Sequence, residues 1–179
     1  MFVSAIIAVP LAWLLTRSDL SHKGFWRTLF SLPYPIPPFI GAIAWINLGN
    51  PSNGFLKSLL PWINIYSTTG LVFVSSAFFY TFILINLLSA LEKIDPALEE
   101  AARISGATPS QVFFRITLPL VTPSLITGML LTFLSAIASF GIPALIGTPA
   151  GITMMTTQIY NLQKMASAHG LKMSGALSV

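Results

Sequence analysis

The sequence predicts an all-helical protein that crosses a membrane several times, and three observations carry that prediction. Apolar residues make up 54% of the 179 positions and charged residues only 8%, where ordinary soluble domains carry about 25% charged residues. Long uncharged runs alternate with short clusters of charge, the pattern of helices in lipid joined by wet connections. Nine basic and five acidic side chains are too few to cover a soluble fold of this length without leaving large apolar patches. The mean hydropathy of +0.80 agrees. Cysteine is absent, which excludes disulfides, thiolate metal sites and cysteine nucleophiles without revealing the compartment. The net charge of +4 suits connections that face an anionic leaflet better than a nucleic-acid footprint.

About four spans are expected, in order along the chain. Phe2 to Thr16 is apolar, lacks a basic start and has no small-residue cleavage site before Arg17, so it reads as a membrane helix rather than a signal peptide. Leu29 to Leu48 is uncharged but interrupted by Pro33, Pro35, Pro37 and Pro38. Proline removes backbone donors and ends or kinks helices, so a kinked span or a shorter helix from Pro38 to Leu48 is expected, ahead of a substrate-path role. Gly70 to Leu91 is the cleanest span; at about 1.5 Å per residue it crosses a hydrocarbon core of about 30 Å. Leu118 to Phe140 is the fourth, and "FGIPALIGTPAGI" after it reads as a loop. The final stretch "HGLKMSGALSV" stops without a cap or a charged tail, so residues 1–179 are expected to be a fragment, or one lobe of something larger.

Between the third and fourth spans stands "EEAARISGATPSQVFFRITLPL". Asp95 is placed as an N-cap with Pro96 at the first helical position, and Glu99 and Glu100 lie near the positive end of that helix. Gly106 can close the helix with positive φ. Thr108, Pro109, Ser110 and Gln111 then spell a capping box that starts a second helix, with Val112, Phe113 and Ile116 on its apolar side, running toward Pro119. Glu92, Lys93, Asp95, Glu99, Glu100, Arg103 and Arg115 would together cost about 20 kcal/mol near a bilayer centre before pairing. The stretch therefore belongs in water. Ala101, Ala102 and Gly106 offer little bulk to an approaching surface, the form of a docking element.

Orientation follows from basic residues. Alternating spans put Arg17, Lys23, Arg27, Lys93, Arg103 and Arg115 on one side and Lys57, Lys164 and Lys172 on the other. The positive-inside rule makes the charged stretch cytoplasmic.

Glu100-Ala101-Ala102, then Gly106, Ile116 and Leu118-Pro119 fill every fixed position of E-A-A-x3-G-x9-I-x-L-P. This resembles the EAA loop of binding-protein-dependent ABC importer permeases. "PLAWLLTRSD", "LPYPIPPFIGAIAW" and "FGIPALIGTP" followed by "TTQIY" are similar to the iron(III)-type branch, whose relatives import thiamine, polyamines or phosphonates. The resemblance implies a type I permease bundle in the inner membrane of a prokaryote, with a cytoplasmic coupling loop at about 92–119. It implies that Glu100, Ala101, Ala102 and Gly106 sit in a groove of a separate ATPase, and that Ile116, Leu118 and Pro119 anchor the return to the membrane. A second lobe or a homodimer partner and a soluble substrate-binding protein complete the expected assembly. ATP and magnesium are expected in the ATPase alone, with no cofactor on this chain. Such lobes usually have five or six spans, against about four here.

Other readings are weaker. The chain has no G-x-x-x-x-G-K-[ST], H-E-x-x-H or G-x-S-x-G, and no expected span contains a charged residue or histidine, so it is not read as an enzyme. His22 and His169 read as solvated loop residues. Ala102, Gly106 and Val112 also match a helix-turn-helix, but Pro109 to Leu118 offers only Arg115 to phosphates, so no nucleic-acid partner is expected. A membrane scaffold that merely holds a cytoplasmic partner is the alternative from another class. Within the spans, Asn47, Tyr80, Asn86, Ser135 and Ser139 are candidates for a translocation path, although interhelical hydrogen bonding is the favoured account of any one of them and of Ser75 and Ser76. Trp45, Phe78 and Phe79 read as packing aromatics.

Overall fold

Apolar runs fold as helices here because lipid offers no partner for a free backbone group, so each segment must bond to itself. The computed structural model describes residues 1–50, 54–56, 64–164 and 168–178, without the side chains of 168–172. Lys57 and the side chains of His169 and Lys172 lie outside it. The described elements are α1 (Phe2–Arg17), α2 (Lys23–Ser31), α3 (Pro38–Gly49), α4 (Thr68–Leu91), α5 (Pro96–Ile104), α6 (Pro109–Ala138), a π-helical turn at Pro143–Gly147, α7 (Met155–Lys164) and α8 (Ala168–Leu177). No strand occurs among the described residues, and the all-helical expectation holds.

The chain divides into two compact units. The first comprises Met1–Tyr34 and Phe79–Phe133. In α1, Ser4, Ala8 and Ala12 recur every fourth residue and are buried, so one thin stripe of the helix faces inward. Ala8, Ala12 and Leu15 pack in one core with Ile83, Leu84, Leu87, Leu88 and Leu91 of α4 and Val121 of α6. Small residues on one helix let the backbones approach, which is how helices associate when lipid supplies no hydrophobic drive. Phe2 and Ile6 on the other side of α1 are exposed, as a lipid-facing surface would be. Along Leu118–Ala138 of α6 the buried positions are Val121, Gly128 and Thr132. The Thr132 hydroxyl donates to the Phe79 carbonyl of α4 at 3.1 Å, an interhelical bond in an otherwise apolar contact.

The second unit comprises Pro35–Phe78 and Leu134–Val179. Gly41 of α3 lies under the Phe78 ring, with no room for a Cβ. One helical turn away, Trp45 meets Phe73 edge to face with centroids 5.0 Å apart. Thr156 at the start of α7 donates to the Ser139 carbonyl at 2.9 Å, and Phe140 packs on Tyr160 at 5.2 Å.

Among the described residues, two helices rather than four are long enough to cross a membrane: α4 with 24 residues and α6 with 30. α1 and α3, with 16 and 12 residues, are apolar but shorter. The expected span Leu29 to Leu48 is split, because α2 ends at Ser31 and helix resumes only at Pro38, the first position of α3. Pro38 is tolerated there since its missing N–H would be an orphan in any case. Of the spans' apolar windows, 61% is buried in α4 and 17% in α6. Most of the α4 window is therefore covered within this chain, and most of the α6 window is not.

Two segments differ from expectation for one shared reason. The second helix of the charged stretch does not end near Pro119; it continues as α6 to Ala138 through a π-helical turn at Phe113–Thr117. "FGIPALIGTP" is not simply a loop, since Pro143–Gly147 also forms a π turn. In each, the residue before a proline donates to the carbonyl five back: Leu118 to Phe113, and Thr148 to Pro143 at 2.9 Å. Pro119 and Pro149 come directly after. An α-helix would drive the proline ring into the carbonyl four residues earlier; one extra residue in the turn moves that carbonyl aside and lets the backbone continue.

Candidate functional site

The charged stretch folds as written. The Asp95 carboxylate accepts from the Ala97 N–H at 3.0 Å with Pro96 at the first helical position, which starts α5. Gly106 ends it with φ +86°. Its N–H donates to the Arg103 carbonyl and that of Ala107 to Ala102, both at 3.0 Å; this paired closure satisfies carbonyls that a helix end leaves orphaned. Two residues on, the Thr108 N–H donates to Gln111 Oε1 at 2.9 Å while the Gln111 N–H reaches Thr108 Oγ1 at 3.4 Å. This reciprocal box starts α6. Helix, glycine elbow and helix are thus set by bonds inside residues 95–111.

Beneath the elbow lies a buried ionic contact. Arg17 Nε sits 3.0 Å from both Glu99 carboxylate oxygens. Arg17 Nη2 donates to the Leu91 carbonyl at 3.2 Å, a group left over at the end of α4. The Thr117 hydroxyl, in the π turn, donates to Glu99 Oε1 at 2.9 Å. Glu99 is 7% exposed and Thr117 1%. Nearby, Arg27 pairs with Glu92, and both are about half exposed, where screening leaves such a pair worth little. These bonds bring the connection after α1 and the connection after α4 to the same end of the first unit, as alternating spans require.

The expected docking residues lie together on this corner. Glu100, Ala101 and Gly106 are exposed and Ala102 is half-buried. Leu98 and Ile104 stand out at 52% and 87% exposure. Helix α5 is thus inverted relative to a soluble amphipathic helix: its carboxylate Glu99 points inward and its large apolar side chains point out. Ile116 and Leu118 are half-buried and Pro119 is exposed; Leu118 packs against the core of α1 and α4.

The path candidates are not gathered within one unit. In the first, the buried Tyr80 donates to the Phe30 carbonyl at 2.6 Å, and Asn86 donates to Phe82 of its own helix at 2.8 Å. In the second, Asn47 is exposed, and Ser135 and Ser139 are half-buried.

Sequence reasoning missed Arg17, Thr117 and Thr132 as partners and passed over Glu99 in favour of Glu100. A signal existed. Successive residues on a helix point about 100° apart, so Glu99 and Glu100 cannot both face a docking partner, and Arg17 is the first charge after an apolar run.

Two span-length apolar helices joined by a capped, exposed elbow fit a membrane permease lobe. The chain belongs to the family of binding-protein-dependent transport system inner membrane components, whose model matches residues 3–178. It is 28% identical over 166 residues to a probable sulfate transport system permease protein cysT of Marchantia polymorpha, with 91% of this chain and 57% of that protein covered. It is 34% identical over 146 residues to the molybdenum transport system permease protein ModB of Haemophilus influenzae, covering 79% of this chain and 63% of that protein. The chain thus spans about three-fifths of the length of these relatives. Its fold matches that of a bacterial ABC transporter involved in the import of the acidic polysaccharide alginate, with a TM-score of 0.72 over 98% of this chain and 65% of that one, at 23% identity.

Proposed function

We propose that the chain is the elbow-bearing part of a permease lobe in an ATP-driven importer. The carrying observation is the outward face of α5, where Ala101 and Gly106 leave room and Leu98 and Ile104 stay exposed. A cytoplasmic ATPase grips this corner through Glu100, Ala101, Ala102 and Gly106, while Ile116, Leu118 and Pro119 carry its movement into α6. ATP and magnesium belong to that ATPase, and this chain binds no cofactor. A second lobe, or a second copy, pairs with it around the path, and a soluble binding protein delivers solute from outside. ATPase closure then drives alternating access, since it favours one of two lobe arrangements. Because the chain has no native cysteine, one cysteine at Ala101 gives an unambiguous test. It is expected to cross-link to the ATPase and to resist impermeant reagents from outside; labelling from outside would overturn the topology and the role together.

For the solute, the permeases compared are named for sulfate and molybdenum, which favours a small inorganic tetrahedral oxyanion over the iron(III), thiamine, polyamine or phosphonate suggested by the resemblance to the iron(III)-type branch. Uptake of labelled sulfate and molybdate by the complete assembly, against iron(III), decides between them. A scaffold that does not transport would show no stimulation of its ATPase by loaded binding protein.

A further inference from the structure

The buried contact under the elbow joins four pieces of chain through one ion pair. Arg17 ends α1, Leu91 ends α4, Glu99 lies on α5 and Thr117 lies in the π turn of α6. Removing two charges from water is costly, and a buried pair is stable only when its remaining valences are met. Here they are met by a helix-end carbonyl and a hydroxyl, each from a different element. A surface pair could slip without penalty; this one cannot, since separating Glu99 from Arg17 leaves a buried carboxylate without its counter-charge. The pair therefore behaves as a rigid pin. The exposed face of α5 is free to be pushed, and its buried face is fixed to the end of α1.

We infer that Glu99 and Arg17 are positioning residues for coupling: the pin hands displacement of α5 on to α1, so that the elbow moves α1 as well as α6. This rests on the importer reading above and adds a second output to it. Without the pin, α5 still docks on the ATPase through Glu100 and Ala101, but its displacement is spent in the loop. Glu99→Gln keeps shape and one acceptor oxygen while removing the charge that holds Arg17.

The test uses the permease assembled with its ATPase and binding protein in proteoliposomes, reading solute uptake and ATP hydrolysis in the same vesicles. Glu99→Gln is expected to lower uptake about tenfold while hydrolysis stays near the unmodified rate. The exchanged pair Arg17→Glu with Glu99→Arg is expected to restore part of the uptake that either single change loses. Unchanged uptake, or uptake and hydrolysis falling in proportion, would overturn the inference, since a merely structural role lowers both. Should Glu99→Gln fail to assemble, Thr117→Val takes its place, since it removes one donor to the same carboxylate and conserves volume. Its ratio of uptake to hydrolysis supports or overturns the pin in the same way. If the unmodified assembly shows no hydrolysis stimulated by binding protein, the importer reading itself fails, an outcome distinct from loss of the pin.

Discussion

Gly128 of α6 lies so close to Ile83 of α4 that a Cβ on the glycine would fall 2.8 Å from the Ile83 Cα and 3.3 Å from the Phe82 carbonyl oxygen. The obstacle is backbone, so no side chain can swing away. Gly128→Ala is expected to push the helices apart, strain the Thr132 to Phe79 bond one turn along, and destabilise by about 1–3 kcal/mol. A lower unfolding temperature in detergent checks this; an unchanged one would mean that α4 and α6 do not pack at this crossing.

Gly106 presents the opposite situation. Nothing lies within 4 Å of its missing Cβ, yet its φ is +86°, so substitution probes the backbone alone. Valine is expected to cost about 1–2 kcal/mol by opposing left-handed geometry, and asparagine less. In a complete assembly, Gly106→Val is expected to abolish most uptake with membrane insertion intact, and Gly106→Asn to retain much of it. Equal uptake in the two variants would show that the handedness of this turn does not matter.

The Tyr80 hydroxyl is committed to the Phe30 carbonyl at the end of α2. Tyr80→Phe is expected to cost about 1 kcal/mol of stability and to leave the KM for uptake unchanged. A raised KM at full stability would return this residue to the solute path.

How far the sequence foretells the structure depends on the range of the interaction. The elbow was legible because Asp95, Pro96, Gly106, Thr108 and Gln111 act on neighbours within a few positions, and those rules are local. Two of the four expected spans, now α4 and α6, were legible from composition, but helix lengths were not, because only the structure tells whether a proline run breaks a helix at Ser31 or bends it. The π turn before Pro119 was not foreseen for the same reason: proline forbids one backbone geometry without choosing its replacement. The Arg17 and Glu99 pair was missed because its members are 82 positions apart, and nothing in either local sequence names the other.

Pro119 offers a test of that account. Pro119→Ala restores an N–H and removes the ring, so the turn at Phe113–Thr117 is expected to tighten to ordinary α-helix. One residue of register rotates the helix before the turn by about 100° relative to the helix after it, drawing Thr117 away from Glu99. Faster hydrogen exchange at the end of α5 and a structure of the variant both report this. A retained π turn would show that packing, not the proline, sets it.

Because α5 begins, ends and hands over to α6 through bonds that never leave residues 95–111, its bend is portable. Grafted between two other apolar rods, the same seventeen-residue insert (95 through 111) carries its angle along. On the importer reading proposed above, an ATPase that grips this corner meets the same bend on any lobe that carries these residues.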